Sequence, residues 1–204
     1  MRILSRFSVF AALLVFLAGF AVPSHAQSFL HNSEASLSGF AQFTPSVTGN
    51  GNTVDTTRSV GGQAAFRHSY HWWMGFEGSY NYTRFSEHYS AARPYAVQHN
   101  MHEFAASYLL SGPSALGFRP FALGGVSAVV FSPSLNGGQR VPWQARPGIN
   151  FGVGIDRALL TSHFGVRLQY RGVYYKTPDF GQSQLVSNKY RLTSEPMAGL
   201  YLRF

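Results

Sequence analysis

The chain has 204 residues, contains no cysteine and carries a formal net charge of +8, with 16 lysines and arginines against 8 aspartates and glutamates. The lack of cysteine excludes disulfides and thiolate chemistry, and the length suits one domain with a sizeable core. Only 12% of the residues are charged, 16% are aromatic, and the arginines are spread singly, so the basic excess does not indicate a nucleic-acid-binding protein.

The N-terminal residues have the organisation of a secretory signal peptide. Two arginines precede an apolar run at 7–22, and small residues occupy the two positions that signal peptidase recognises before the bond after Ala26. The run is shorter than the about 20 residues of a typical membrane-spanning helix, although a retained anchor is the alternative. We therefore predict a cleaved signal peptide (1–26) and one exported mature domain (27–204).

The mature chain shows no helical periodicity. Apolar and polar residues alternate instead, in segments separated by Gly, Pro, Asn and Ser clusters, and a period of two is typical of β-strands. No segment approaches about 18 continuous apolar residues, so no transmembrane helix is predicted there. Eight strands are predicted, at residues 34–44, 58–68, 72–84, 98–110, 119–131, 148–156, 163–176 and 191–204.

The predicted connections alternate between long and short. Alternation of this kind is typical of outer-membrane barrels, in which long loops face outward and short turns face the periplasm. Most predicted strands reach the roughly 9–11 residues that a tilted strand needs to cross lipid, and only closure pairs every backbone group there. The pattern predicts an all-β, eight-stranded antiparallel up-and-down transmembrane barrel. The long connections are 45–57, 85–97, 132–147 and 177–190, and the shorter ones are 69–71, 111–118 and 157–162.

The two faces of the strands indicate which side contacts lipid. On the seventh predicted strand, Val166, Leu168 and Tyr170 share one face, while Arg167 and Gln169 occupy the other. A polar face of glycines and isolated charges suits a narrow packed lumen, and aromatic residues near the strand ends resemble interfacial girdles. The apolar face is therefore predicted to point outward, with a soluble lipocalin-like carrier as the alternative. The fifth strand is apolar on both faces, so its faces stay unassigned.

Charged residues on the predicted polar faces form a balanced set of four arginines and four carboxylates. An unpaired charge is costly in a desolvated interior, so ion pairs are expected, with Arg171 and Glu195 as one pair on neighbouring strands. Eight strands leave an interior just wide enough for side chains to fill, which favours a salt-bridged plug over a gated ion path. The predicted network consists of Arg67, Glu77, Glu103, Asp156, Arg167, Arg171, Glu195 and Arg203.

Basic residues concentrate near the predicted long loops. Arginine binds phosphate groups well, and outer-leaflet lipopolysaccharide carries phosphates, so we hypothesise contacts with lipid phosphates. Ordinary solvation of loop residues is the alternative. The candidates are Arg84, Arg140, Lys176, Lys189 and Arg191.

No catalytic or metal-binding constellation emerges from the sequence. Serine, histidine and acidic residues do not converge in a spacing that indicates nucleophilic catalysis. His99 and His102 are three positions apart, which places them on opposite faces of a strand and disfavours a shared metal ion. We therefore predict no enzymatic activity, no metal and no cofactor.

The segments GLYLRF and PFALGGVSAVVF, the leader and the eight alternating strands resemble the outer-membrane protein β-barrel family. The chain is similar to the transmembrane domain of OmpA and to OmpX-type and opacity-type barrels. The resemblance covers about 34–204 and is most specific in the last strand, where Leu200, Leu202 and Phe204 resemble the family's signal for the barrel assembly machinery. The family often has Tyr where this chain has Leu202, and Tyr201 lies on the other face.

The resemblance implies a monomer in the cell outer membrane, with outer-membrane lipid and lipopolysaccharide as partners, the barrel assembly machinery as a partner during biogenesis, and no nucleic acid. It implies a structural or surface-interaction (adhesion-type) role, with a small-solute pore as the alternative. Some lipid-A deacylases resemble this architecture and use a His-x-Ser pair on the outer strand ends. Here His163 is followed by Phe and Gly, and His68 and Ser69 lie near a short turn, so a lipid-A-modifying enzyme is less favoured.

Overall fold

Eight long antiparallel strands close into a barrel in the computed structural model of the chain, which describes residues 30–90, 95–135, 139–140, 142–159 and 161–204. The predicted signal peptide and its cleavage site lie outside these residues. Within them, no helix is long and apolar enough to cross a membrane. The strands are β1 (Ser33–Gln42), β2 (Val47–Gly49), β3 (Asn52–Thr56), β4 (Ser59–Ser69), β5 (Met74–Tyr89), β6 (Tyr95–Ser111), β7 (Phe118–Leu135), β8 (Gln139–Arg140), β9 (Gln144–Ala158), β10 (Phe164–Lys176) and β11 (Tyr190–Arg203), with a 3-10 turn at Ser183–Leu185.

Strand pairing runs around the whole ring. The long strands follow the order β5, β4, β1, β11, β10, β9, β7 and β6, and β6 pairs back with β5. The first and last strands pair from Glu34 with Arg203 to Phe40 with Met197, which closes the barrel. The predicted eight-stranded antiparallel up-and-down architecture is therefore confirmed, and its closure satisfies the backbone as lipid requires.

The two ends of the barrel differ in construction. The terminal end carries the start of β1 and the end of β11, and short connections at 70–73, 112–117 and 159–163 join its strands. The opposite end is here called the distal end. The longest strands, β5, β6, β7 and β9, reach toward it and have 15 to 18 residues each. The hairpin of β2 and β3 lies within the loop predicted at 45–57 and pairs with the end of β5.

Two predicted loops are strand for most of their length. The β5–β6 ladder continues to the pair Tyr89–Tyr95, and β7 extends alongside, so the loops predicted at 85–97 and 132–147 are wrong in extent. Beyond Tyr82 the outward positions of β5 change from aromatic to Arg, Ser and His. The strands thus leave the apolar band while their pairing continues, which a search for apolar outward faces misses.

Apolar side chains cover the outer surface of the barrel. Leu37, Val126 and Leu168 point outward and are 53–70% exposed, whereas the alternate positions of their strands face the lumen. A lipocalin-like carrier would have its apolar face inward, so that alternative is wrong. The barrel thus presents lipid-compatible side chains outside and buries its charges inside.

The structure assigns the faces of β7, which the sequence left open. Phe121, Leu123, Val129 and Phe131 are at most 6% exposed and point into the lumen, while Val126 points outward. One face of this strand meets lipid. On the other face, Val129 and Phe131 belong to an apolar cluster of the lumen, whereas Phe121 and Leu123 form a smaller cluster with Leu109.

Candidate functional site

The part of the lumen near the terminal end is filled by charged side chains, here called the terminal ionic layer. Arg167 donates from Nε and Nη2 to the two oxygens of Asp156 at 2.7 and 2.8 Å, and from Nη2 to Glu34 at 2.8 Å. Arg67 donates from Nε to Glu77 at 2.5 Å and from Nη1 to Asp156 at 3.5 Å. The two parallel hydrogen bonds from Arg167 to Asp156 hold this guanidinium group in one orientation. The layer consists of Glu34, Arg67, Glu77, Asp156, Arg167 and Arg203.

Strand register explains why these groups meet. Glu34 lies opposite Arg67 on one side and Arg203 on the other, and it accepts hydrogen bonds from Arg203. Asp156 lies opposite Arg167. Directly opposed residues on one face of a sheet are the closest cross-strand neighbours, so the register converts a sequence pattern into ion pairs. Phe121 packs within this layer, with the guanidinium of Arg67 4.1 Å from its ring centroid.

A second set of charges, the middle ionic layer, consists of Arg171, Glu103 and Glu195. Arg171 donates to both oxygens of Glu103 at 2.7 and 2.6 Å and to Glu195 at 2.8 Å. All three side chains are fully buried. Arg171 lies on β10 and Glu103 on β6, so this contact crosses the lumen rather than joining adjacent strands.

The distal half of the lumen is filled by an apolar cluster, here called the distal apolar plug. Two of its members, Phe180 and Leu185, come from the segment 177–189, which folds back into the barrel mouth. Glu87 and Arg191 form a fully buried ion pair beside the plug. The plug consists of Val54, Phe85, Tyr89, Val97, Met101, Val129, Phe131, Val173, Tyr175, Phe180 and Leu185.

Polar contacts hold the 177–189 segment against β9. Asp179 accepts a hydrogen bond from Gln144 at 2.8 Å and an ion-pair contact from Arg146 at 2.6 Å, while Gln144 accepts from the amides of Asp179 and Phe180. Partial burial of Asp179 opposes ionisation, but the hydrogen bonds from Gln144 and the Gly181 amide, with the charge of Arg146, lower the pKa of its carboxyl. The carboxylate therefore stays ionised and keeps the segment docked.

All eight charges that the sequence assigned to the lumen lie in the two ionic layers. The structure brings Arg171 and Glu195 together, as expected for neighbouring strands. Sequence reasoning missed the lumen positions of Glu34, Glu87 and Arg191. The signal was present for Glu87 and Arg191, which have the same strand parity as Glu77 and Glu195. On β1, Glu34 shares its face with Ser36 and Ser38, so no other charge marks that face.

The assignment of Arg191 to lipid phosphates is wrong. Its side chain is buried, faces the lumen and contacts Glu87, with a hydrogen bond of 3.1 Å to Thr56. The physical reason is strand parity: β11 begins at Tyr190, so Arg191 shares the inward face with Glu195. An arginine there reaches no lipid.

The other lipid-phosphate candidates occupy different surroundings. Arg84 is exposed on the outer surface and donates to Gln98 at 2.6 Å. Lys189 is exposed, and Lys176 at the end of β10 is half-buried. Arg140 belongs to the short strand β8, and its side chain lies outside the described residues. Leu200, Leu202 and Phe204, which the family resemblance predicts to form the assembly signal, point outward and are 44–49% exposed.

The two histidines of the HNMH segment face opposite ways. His99 is buried against the rings of Phe85 and Phe131 in the lumen, whereas His102 lies on the outer surface and stacks on Trp143. In the part of the chain that the structure describes, no three His, Cys, Asp or Glu side chains are grouped as for a metal ion.

Solved outer-membrane proteins share this fold. Neisserial surface protein A is 15% identical, with a TM-score of 0.63 over 85% of this chain and 97% of that protein. OprG from Pseudomonas aeruginosa is 11% identical, with a TM-score of 0.59 over 85% and 96%. Ail of Yersinia pestis, in complex with the heparin analogue sucrose octasulfate, is 17% identical, with a TM-score of 0.50 over 85% and 99%.

Comparison with protein-family models agrees with these structural similarities. No curated protein matches the chain significantly in sequence. The model of the outer membrane protein beta-barrel domain matches residues 12–191, which is most of the chain. The match agrees with the closed barrel, its apolar outer surface and its charged lumen. The resemblance inferred from the strand pattern is thereby confirmed, and the chain belongs to the outer membrane protein β-barrel domain family.

Proposed function

We propose that this outer-membrane barrel is closed to solutes and acts at the cell surface, in a structural or adhesion-type and non-enzymatic role. The observation that carries the proposal is the filling of the lumen at successive levels, by the terminal ionic layer, the middle ionic layer and the distal apolar plug. A solute path would have to separate buried ion pairs and also displace packed aromatic side chains. The layers are built mainly on strands, which move less readily than loops.

The energetics of buried ion pairs support a closed lumen. Breaking a buried pair by removing one partner typically costs about 3–5 kcal/mol, because the remaining charge has no water to solvate it. Arg171 is shared by two fully buried carboxylates, so moving it aside would strand both. The alternative function, a small-solute pore, requires that rearrangement in the resting protein.

In this proposed role, the surface at the distal end of the barrel, here called the distal surface, contacts partner molecules. The β2–β3 hairpin and the 177–189 segment join there, with Asn50 donating to the carbonyl of Val186 at 3.1 Å. Lys176 and Lys189 lie at this end of the barrel, and we expect their positive charge to attract anionic groups. Ail, a barrel of the same fold, was crystallised with a sulfated heparin analogue. Contacts of Arg84, Lys176 and Lys189 with lipid phosphates, and recognition of the C-terminal strand by the barrel assembly machinery, belong to the same proposal.

Conductance across a planar lipid bilayer tests the closed lumen. The refolded full chain, verified by heat-modifiable migration on gels, is expected to show no steady channels at moderate voltage. A porin of known conductance, reconstituted in parallel, controls for insertion. Steady, reproducible single-channel steps from the wild-type chain would contradict the closed lumen and favour the small-solute pore.

A further inference from the structure

The mouth of the barrel at the terminal end contains a cavity of about 460 Å³, here called the terminal pocket. It lies between the connections at 70–73 and 112–117, and Trp72, Arg119 and Arg203 contribute to its walls. This volume falls in the range of pockets that hold small molecules. The pocket shares Glu34 and Arg203 with the terminal ionic layer, but the proposed function assigns no ligand to it.

The terminal ionic layer closes the inner side of the pocket. Glu34 lines the pocket, but its two oxygens are already engaged, one by Arg203 and the other by Arg167. Asp156, deeper in the lumen, has both oxygens bound to Arg167. The pocket is therefore a dead end with no free carboxylate facing it, which is the form of a binding site rather than of a channel entrance.

Arg119 gives the pocket an excess of positive charge. It lies on β7 directly opposite Asp156, at a lumen-facing position, but that carboxylate is taken up by Arg167 and Arg67. Arg119 donates from Nη2 to the backbone carbonyl of Trp72 at 2.8 Å and forms no ion pair with any residue in the described part of the chain. A half-buried guanidinium without a counter-charge favours an anion beside it.

Arg203 supplies a second guanidinium to the same pocket. It is held through Nε and Nη2 by Glu34, and its side chain is 31% exposed. Both arginines are thus tethered by protein contacts while they line the cavity, which reduces the entropy lost when they grip a ligand. The donors of a guanidinium group can form paired hydrogen bonds with the oxygens of a planar carboxylate or of a tetrahedral phosphate.

We infer that the terminal pocket binds a small oxyanion, a carboxylate or a phosphate, between Arg119 and Arg203. The ligand reaches the pocket from the side of the membrane that carries the chain termini, which the predicted topology makes the periplasm. Binding there leaves the ionic layers intact. The inference therefore stands independently of the proposed surface role.

Tryptophan fluorescence of the full-length folded protein tests the pocket. Trp143→Phe provides the background, because Trp143 lies outside the pocket and the remaining tryptophans, Trp72 and Trp73, lie at the terminal end. Titrants are inorganic phosphate and, separately, glutarate, each against chloride at constant ionic strength. Arg119→Gln is the test variant. Arg157→Gln is the matched control, since Arg157 lies at the same end against the ring of Phe118.

A saturable change in emission with either oxyanion is expected in the background protein and in Arg157→Gln. Arg119→Gln should weaken binding roughly tenfold or more, as the loss of a charge-assisted hydrogen bond implies. Saturation with phosphate alone or glutarate alone identifies the ligand class. A linear response to both salts, or equal affinities for Arg119→Gln and Arg157→Gln, would overturn the inference. Arg119 lies outside the ion pairs, so heat-modifiable migration should confirm that this variant folds.

Discussion

The terminal and distal halves of the lumen are filled by side chains of opposite character. Arginines and carboxylates, with Phe121 packed among them, fill the terminal half, and every member of the layers there belongs to a strand of the ring. Apolar and aromatic side chains fill the distal half, and two of them, Phe180 and Leu185, come from the 177–189 segment. The lumen is thus closed in its terminal half by ion pairs that strand register brings together. In its distal half it is closed by apolar packing that includes a folded-back segment.

The difference has a consequence for how each half responds to change. An ionic layer depends on complete pairing, because a single deletion leaves a charge that the interior cannot solvate. An apolar plug depends on volume, because each removed methyl group leaves a cavity and weaker packing. Three changes, in order of decreasing expected effect, test this distinction.

The largest effect is expected at the middle ionic layer. Arg171→Met leaves Glu103 and Glu195 fully buried without their shared cation, and should lower the free energy of unfolding by about 3–5 kcal/mol. Urea unfolding of the barrel in lipid vesicles, followed by tryptophan fluorescence, measures the change. Arg157→Met, at an exposed position outside the ion pairs, is the matched control and should change stability by no more than about 1 kcal/mol, the loss of its contact with the ring of Phe118.

A triple variant separates charge from packing at the same place. Adding Glu103→Gln and Glu195→Gln to Arg171→Met removes the stranded charges while keeping similar volumes, and should recover part of the lost stability. If Arg171→Met unfolded at the same urea concentration as Arg157→Met, the middle ionic layer would not stabilise the barrel.

A smaller and more local effect is expected in the distal apolar plug. Leu185 is 1% exposed, so Leu185→Ala should weaken docking of the 177–189 segment, with a Leu-to-Ala core truncation typically costing about 2–5 kcal/mol. Amide hydrogen exchange should accelerate within the segment and stay unchanged in the strands. Leu116, which is 96% exposed at the terminal end, provides the control Leu116→Ala. Equal acceleration in strands and segment would show that the plug is not a separate unit.

The comparison of the two halves also explains what the sequence could predict. Strand parity alone places Arg67, Glu77 and Arg167 in the lumen, because alternation on one strand is a local property. Parity along β11 from Glu195 places Arg191 there too, although its nearness to a loop suggests a surface position. Most charges of the terminal half were therefore predictable from local pattern, with Glu34 and Arg119 as the exceptions.

The distal half was not accessible in this way. Docking of the 177–189 segment depends on contacts such as Asp179 with Arg146, between residues far apart in the chain, and no local period encodes them. The faces of β7 were ambiguous for the same reason, since Val129 and Phe131 point into a plug completed from elsewhere. At the terminal end, Arg119 gives no signal in the sequence, because it stands out only where the assembled ion pairs leave it without a carboxylate.

The smallest effect is expected from protonation of Asp179, which holds the 177–189 segment through Gln144 and Arg146. The folded protein lowers the pKa of this carboxyl, so its stabilising contribution is complete above the ordinary aspartate value of about 3.9. That contribution falls as the pH drops through the lower folded value. Docking should therefore be constant from about pH 8 to pH 5 and weaken only in stronger acid.

The amide proton of Gly181, which donates to Asp179 at 3.1 Å, reports this titration by NMR. Its chemical shift should move with a midpoint below about 3.9, and Asp179→Asn should remove the movement. Arg146→Gln should raise the midpoint, because the guanidinium is one cause of the lowered pKa. A midpoint above 3.9 in the wild-type chain would mean that burial outweighs these contacts. Ionisation of Asp179 would then not stabilise the docked segment, and the distal closure would depend mainly on apolar packing, in contrast with the ionic terminal half.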